Sequence, residues 1–365
     1  MPSAPRKRSN RPATLADVGR EAGVSAMAVS AVLNGARTST RISRETRARI
    51  REAAIKLQYR PNAAARALAQ RRMNTIGVAA VINEGGEFDH YFLEAFNGVI
   101  HSAALHNQTT TVFALHDWQR DAGRIGSFCD GRIDGLILIA PILGEDPARY
   151  LPLHTPLVAM HANGPLPGVV GIDTDEEPGA FQIVRELVAA GHRRILHITG
   201  NRGLVGAERR ISGYRRALES ASIPFDPDLL VAGRFSSVAG CEVMQAWLQR
   251  HAGQALPDAV FCASDAIALG ALEALSAAGL VVPRDLSIVG FDDTLAARTT
   301  VPQLTTVRQP IRAMAMRAVE TLLERIQSHL DQTVPEAPSS IVFPVEIVHR
   351  DSVLPPRQPR PKVPA

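Results

Sequence analysis

Residues 14–34, TLADVGREAGVSAMAVSAVLN, read as two short helices joined by a tight glycine turn. Thr14 can cap the first helix, and Asp17 places a carboxylate in its first turn, where the helix dipole favours negative charge. Leu15, Val18 and Ala22 then share one face. Gly23 supplies the left-handed backbone that a sharp turn needs. Ser25 can cap a second helix, whose Val29, Val32 and Leu33 pack back onto the first. Ala26, Met27, Ser30 and Ala31 are left facing outward. This is the pattern of a helix-turn-helix, whose second helix enters the DNA major groove.

Charge separates that reading from a plain helical hairpin. Residues 1–72 carry 16 Lys and Arg against 4 Asp and Glu, whereas residues 73–365 carry 24 against 32. A basic module on an acidic body is the electrostatic footprint of a phosphate-binding domain.

After the loop GARTSTR, a third helix is expected from Ser43 to Gln58, with Ser43 and Thr46 as caps and Ile50, Ala54 and Leu57 as its apolar stripe. YRPNAAARALAQRR follows, in which Pro61 stops one helix and Asn62 can cap another. This segment has helical propensity but no apolar face wide enough to fold alone, so ordering against DNA or a second copy is expected.

From Asn74 onward, apolar strands such as TIGVAAVI, GLILIAP, RILHITG, AVFCAS and LSIVGFDD alternate with amphipathic helices. That alternation predicts doubly wound parallel sheets in two lobes, with ligands bound beyond the carboxyl ends of the strands. Cys129, Cys241 and Cys262 lack metal-ligand spacing and read as reduced packing residues of a cytoplasmic protein. MPSAPRKRSNRP has no apolar core, so neither a signal peptide nor a membrane anchor is expected. P-loop, G-x-S-x-G, HExxH and paired-Cys motifs are absent, which argues against an enzyme, a metal or a cofactor.

Taken in order, TLADVGREAGVS, VLNG, SRETRARI, YRPNAAARAL, GHRRILHITG, ERRISGYRRAL, ASDAIALGAL, SIVGFDDT and PQLTTVRQP resemble the lac repressor and galactose repressor family of bacterial transcription regulators. The resemblance implies an all-α helix-turn-helix headpiece with a hinge helix, followed by a periplasmic-binding-protein-like α/β core of two lobes. The expected divisions are a basic arm (1–13), the DNA-binding domain (14–60), the hinge (61–73), the core (74–350) and a Pro-rich tail (351–365). Within the core, the first lobe is expected over 74–173 and 305–335, and the second over 174–304 and 336–350.

The family likeness further implies a homodimeric repressor on a near-palindromic double-stranded operator, held mainly through first-lobe surfaces near Tyr91 to Ser102. Activation, or global regulation through a corepressor or protein partner, is the alternative. DNA contacts are expected from Thr14, Leu15, Ser25, Ala26, Met27, Ala28, Ser30, Ala31, Asn34 and Ser43 of the headpiece and from Asn62, Ala65, Arg66 and Leu68 of the hinge. Leu68 matches the hinge leucine that wedges into the minor groove at the operator centre; its other reading is hinge-to-hinge packing. Ala28 and Ala31 stand where relatives carry threonine and arginine, so direct base reading should be weaker or A·T-leaning. More specificity is then left to DNA shape, the hinge and Arg37, Arg41 or the Arg6 to Arg11 arm in a groove, while the two loop arginines either reach phosphates or simply lie in solvent.

A small metabolite is expected between the lobes, shifting their arrangement and the operator affinity. By position in the family, Arg210 and Asp292 would hold ligand hydroxyls, or Arg210 a carboxylate, and Phe235 would stack on the ligand. His161 falls at a carboxylate position, Ser264 at an amide position and Tyr91 at the first-lobe lip. Sugar, sugar acid and nucleobase all remain open as ligands. Asp265 reads as a helix cap. The tail, DSVLPPRQPRPKVPA, has no leucine heptads and cannot form a tetramerisation bundle, so the chain stays a dimer in the nucleoid-associated cytoplasm.

Overall fold

The computed structural model describes residues 11–35, 41–60, 72–82, 89–333, 339–356, 358 and 361–364. Asn62, Ala65, Arg66 and Leu68, with Arg37 and the arm up to residue 10, lie outside the described residues. The chain divides into two units, residues 1–74 and 75–365.

The first unit is a three-helix module of α1 (Leu15–Ala22), α2 (Ala26–Leu33) and α3 (Arg44–Lys56). The start of α1 is a reciprocal cap: the Asp17 N–H donates to Thr14 Oγ1 at 3.3 Å, and the Thr14 N–H donates to Asp17 Oδ2 at 2.9 Å. These Thr14 hydrogen bonds hold the Asp17 carboxyl down to about 2. Gly23 closes α1 at φ 67°, and the turn folds so tightly that a Cβ on Gly19 would lie 2.7 Å from the Val24 carbonyl oxygen. Ser25 Oγ accepts from the Ala28 N–H at 3.2 Å and starts α2. Val18, Val29 and Ile50, one from each helix, are fully buried together.

The second unit holds two lobes, each built on a six-stranded sheet among the described residues. In the first lobe β1 (Thr75–Val81), β2 (Thr109–Leu115), β3 (Gly135–Ile139), β4 (Leu157–Met160), β5 (Val170–Thr174) and β11 (Ser340–Phe343) lie in the order β11-β5-β4-β3-β1-β2. The second-lobe sheet comprises β6 (Ile195–Ile198), β7 (Leu230–Val231), β8 (Ala259–Cys262), β9 (Ser287–Asp292), β10 (Thr305–Arg308) and β12 (Glu346–Val348), in the order β12-β10-β9-β8-β6-β7. All pairings are parallel except β10 with β12.

Helices cover the sheets. The first lobe carries α4 (His90–Leu105) and α9 (Ile311–Leu330), which approach closely because position 98 is glycine: a Cβ there would sit 2.6 Å from the Ala315 Cβ. The second lobe carries α5 (Glu176–Ala189), α6 (Val205–Ser220), α7 (Ser237–Arg250) and α8 (Asp265–Ala277).

The expected lobe boundaries need correction. Residues 305–308, expected in the first lobe, form β10 and pair with β9 in the second sheet. Residues 340–343, expected in the second lobe, pair with β5 in the first sheet. The stretch IVFPVEIVHR is split at Pro344, which has no N–H to donate to a ladder, and its halves serve different sheets.

The tail is also structural. Ser352 is buried; its Oγ donates to the Ile288 carbonyl at 2.6 Å and accepts from the Thr305 N–H at 2.8 Å. Val363 packs into the second-lobe core, with its N–H donating to the Gln254 carbonyl at 2.8 Å. No helix among the described residues is long and apolar enough to cross a membrane, and the three cysteines are unbridged.

Candidate functional site

The outward surface of α2 is small and apolar. Ser25, Ala26 and Met27 are exposed, Met27 by 71%, while Ala28, Ser30 and Ala31 are half-buried. Thr14, Ser25 and Ser43 each use a side-chain oxygen as a helix cap at an exposed helix N-terminus, where phosphate oxygens are favoured; the Thr14 hydroxyl also donates to Asp17 Oδ2 at 2.7 Å and that of Ser43 to Thr46 Oγ1 at 2.9 Å. Leu15 is partly buried in the helical core, and Asn34 closes α2 with its amide 3.4 Å from Ser30 Oγ. No arginine or other bidentate donor stands on this face of α2.

The second candidate site is a cleft of about 900 Å³, its open mouth included, between the lobes. Tyr91, His161, Arg210, Phe235, Ser264 and Asp292, far apart in sequence, all line it. They arrive there because the carboxyl ends of the strands converge: His161 follows β4, Asp292 ends β9, and Ser264 follows β8. Tyr91 comes from the first turn of α4, which Asp89 caps by accepting the Phe92 N–H at 3.1 Å. Three residues bordering the cleft hold left-handed backbone without being glycine: Ala140 (φ 50°), His161 (φ 47°) and Asp292 (φ 121°). Such strain concentrates at binding sites, where the surrounding fold holds it in place.

Arg210 is nearly buried, with its guanidinium 4.1 Å from the Phe291 ring centre and 5.3 Å from that of Phe235. It donates to Glu176 Oε1 at 2.8 Å and to the Ala263 carbonyl. Arg209 donates to Asp173 Oδ2 at 2.8 Å and to Glu176 Oε2 at 3.3 Å, so it ties β5 of the first lobe to α6 of the second. Asn163 makes a second tie, its Oδ1 accepting the Val205 N–H at 2.7 Å.

Burial pushes the Asp292 carboxyl well above the usual carboxylate range, against the pull of the Arg210 charge; burial likewise raises Asp89. Burial lowers the His161 imidazole, which keeps it neutral, and raises the Tyr91 phenol. The pair therefore enters the site uncharged.

Ser264 is also the cap of α8, accepting the Ile267 N–H at 3.2 Å. Asp265, expected in that role, instead accepts from Thr306 Oγ1 at 2.7 Å and from the Thr294 N–H at 2.7 Å, and burial lifts it to about 7. The cap falls one residue earlier because Ser264 alone has the extended backbone of a cap position. Sequence reasoning missed Asp173, Thr174, Glu176, Arg209 and Gln309. Only the doubled arginine at 209–210 and the Gln-Pro step at 309–310 offered any signal. Among the described residues, no cluster of His, Cys, Asp and Glu is arranged to hold a metal.

Comparison with known proteins places this geometry. Residues 14–62 match the family described as bacterial regulatory proteins, lacI family, and residues 184–353 match the periplasmic binding protein-like domain. The chain is 33% identical over 349 residues to the HTH-type transcriptional repressor PurR of Haemophilus influenzae, covering 93% of this chain and 98% of that protein. It is 34% identical over 318 residues to the ribose operon repressor of the same species, covering 87% and 92%. Among solved structures, the lac repressor dimer bound to operator and the anti-inducer ONPF superposes with a TM-score of 0.80 at 27% identity, over 94% of this chain and 100% of that one. The chain therefore belongs to the LacI family of bacterial regulatory proteins: it is a DNA-binding transcriptional regulator with an effector-binding core, and not an enzyme.

Proposed function

We propose that this protein is a cytoplasmic homodimeric repressor that grips a near-palindromic operator with two α2 helices and is switched by a small molecule closing the cleft. The observation that carries the effector half is the convergence of six sequence-distant residues, Tyr91, His161, Arg210, Phe235, Ser264 and Asp292, on one inter-lobe cavity. Its two lobe-bridging ties, Asp173 to Arg209 and Asn163 to Val205, give the ligand something to stabilise: a closed arrangement that binds it better than an open one.

On the DNA side, α2 reads bases through Ala26, Met27, Ala28 and Ala31, chiefly by apolar contact with thymine methyl groups. Thr14, Ser25 and Ser43 hold phosphates and set register. Segment 61–73, mostly outside the described residues, supplies the hinge with Leu68 as wedge. Dimerisation runs along α4, where Leu93, Ile100 and Leu105 stand at 47%, 50% and 63% exposure in a single chain. Solved relatives include one complexed with cellobiose and one with ribose, which favours a sugar in the cleft here.

Fluorescence anisotropy against duplexes tiling the DNA upstream of the gene, at one fixed salt concentration beside a scrambled duplex, tests the operator half. One near-palindromic duplex should bind at least about a thousandfold tighter than the scramble. Equal binding of every duplex would refute base-directed repression. Ala31→Arg should then add about 1–3 kcal/mol of preference for guanine at a single base pair.

A further inference from the structure

The residues of the cleft form one continuous hydrogen-bonded chain that crosses the lobe connections, and the orientation of the Gln309 amide sets its direction. At the second-lobe end, Gln309 Nε2 donates to Asp292 Oδ1 at 2.7 Å, so the Gln309 carbonyl oxygen points the other way and accepts from the Thr174 hydroxyl. Thr174 has thereby used its only proton. The contact of 3.2 Å between its oxygen and His161 Nε2 can be made only if His161 donates. A neutral His161 with its proton on Nε2 has a bare Nδ1, which accepts the Tyr91 hydroxyl proton. Tyr91 is left with oxygen lone pairs and no proton for a ligand.

The two arginines of the cleft are ion-paired, although Arg210 Nε is buried without a hydrogen-bond partner. Arg209 and Arg210 face Asp173 and Glu176, Arg210 also serves the Ala263 carbonyl, and no lysine lines the cavity. Asp89 and Asp292, one from each lobe, feel the charges of His90 and Arg210 but form no ion pair with them among the described residues. The ligand therefore meets the oxygen lone pairs of Tyr91 and the carboxyl groups of Asp89 and Asp292, beside the Ser264 hydroxyl and the Asn163 amide and around the flat apolar face of Phe235. A carboxylate or phosphate placed there would find both arginines already ion-paired to Asp173 and Glu176 and would face two desolvated carboxyl groups.

We propose that His161, in its Nε2–H tautomer, is the specificity-determining residue of this cleft: by turning Tyr91 into an acceptor it selects an uncharged, hydroxyl-rich ligand with an apolar ring face and excludes acid and phosphate forms. This rests on the effector reading above and narrows it by setting aside sugar acids and sugar phosphates. His161 acts through Tyr91 and is a positioning residue with respect to the ligand. Its left-handed backbone suits asparagine, whose Oδ1 stands where the imidazole Nδ1 does, so His161→Asn keeps the acceptor while His161→Phe removes it.

The test has two arms. The full-length protein labelled with 15N-histidine, with His161 assigned by the signal lost in His161→Asn, reports the tautomer without any ligand. The Nε2–H pattern is expected, and an Nδ1–H or doubly protonated ring overturns the proposal. In the second arm, melting temperature and operator anisotropy are measured with ribose, glucose and cellobiose beside ribose 5-phosphate, glucose 6-phosphate and gluconate. At least one uncharged member should stabilise the protein, and its anionic counterpart should bind at least tenfold more weakly. His161→Phe and Tyr91→Phe should each weaken the uncharged ligand about tenfold without adding in the double variant, while His161→Asn should keep most of the affinity. An anionic member binding more tightly, additive losses, or no stabilisation by any uncharged sugar overturns the proposal. A sugar that stabilises the core yet leaves operator affinity unchanged upholds this selectivity and instead refutes the effector switch.

Discussion

The first-lobe and second-lobe sheets set their strands in the same order, yet they bury different things. Around β1, β3 and β4 the first lobe packs Ile76, Val78, Ile137, Ile139, Val158 and Met160 against α4 and α9, with few buried polar groups among the described residues. The second lobe sinks Asp265, Asp293, Thr294, Thr305, Thr306, His192, His197 and Ser352 among its apolar clusters. Asp293 is fully enclosed and receives Arg308 Nε at 2.6 Å and Arg350 Nη2 at 2.5 Å. Satisfied polar networks of this kind admit one arrangement of their partners. The second lobe is thus a rigid frame for Arg210 and Asp292, while the first lobe, with fewer buried polar networks among the described residues, presents Tyr91 and His161 as the side that adapts.

Trp118 sits in the first lobe and Trp247 in the second, so single-tryptophan variants can follow each lobe separately. The largest effect should come from Asp293→Ala, which leaves the mostly buried Arg350 guanidinium without its carboxylate. A loss of about 3–5 kcal/mol is expected in urea denaturation, seen first at Trp247. Coincident transitions at both tryptophans would break the contrast by showing one cooperative unit.

His197 comes next. Burial against Phe261 and Tyr214 lowers its imidazole to about 4, whereas the unfolded chain titrates near 6.5. Between those values the unfolded state binds the proton and the native state does not, so stability present above pH 6.5 is lost as pH falls, by roughly 3 kcal/mol at pH 4. His197→Phe should flatten this part of the acid limb in a pH series of urea midpoints; an unchanged slope would remove His197 as its cause.

Gly98→Ala and Gly270→Ala probe helix packing in the two lobes. A Cβ at 98 meets the Ala315 Cβ at 2.6 Å, whereas at 270 it meets the Ser237 carbonyl oxygen at 1.9 Å, where only backbone movement could make room. Each should cost about 1–3 kcal/mol, with Gly270→Ala the more damaging. The reverse order would mean that the second-lobe helices yield more readily than the contrast allows. Deleting the chain beyond Pro356, which removes the buried Val363, should cost about 1–2 kcal/mol and lower the Trp247 transition alone.

What the sequence revealed was local. Thr14, Asp17, Gly23 and Ser25 act within four residues of themselves, so the caps and turn of the headpiece were readable directly. The six cleft residues came by likeness to the lac repressor and galactose repressor family, since nothing in the spacing of Tyr91 and Asp292 places them in one cavity. Glu176, Asp173 and Gln309 escaped notice because their roles are pairings across 17 to 135 positions, as between Asp292 and Gln309 or Thr174 and Gln309. The lobe boundaries failed for a related reason: Thr305 to Arg308 and Ser340 to Phe343 are both short apolar runs, and only sheet pairing decides which lobe each completes.

Among the described residues the chain passes between the lobes three times, after β5, after β10 and after β11. During synthesis the first lobe therefore emerges without α9 and without its edge strand, and it waits until residue 343 has left the ribosome. By then the second lobe lacks only β12 and the tail that seats Ser352 and Val363. Neither lobe can finish ahead of the other, and a nascent chain carries both as exposed half-cores until its last few dozen residues arrive. A ribosome stalled near position 300 would thus hold a finished headpiece coding span joined to two incomplete sheets, and quality control would meet this regulator before any effector could.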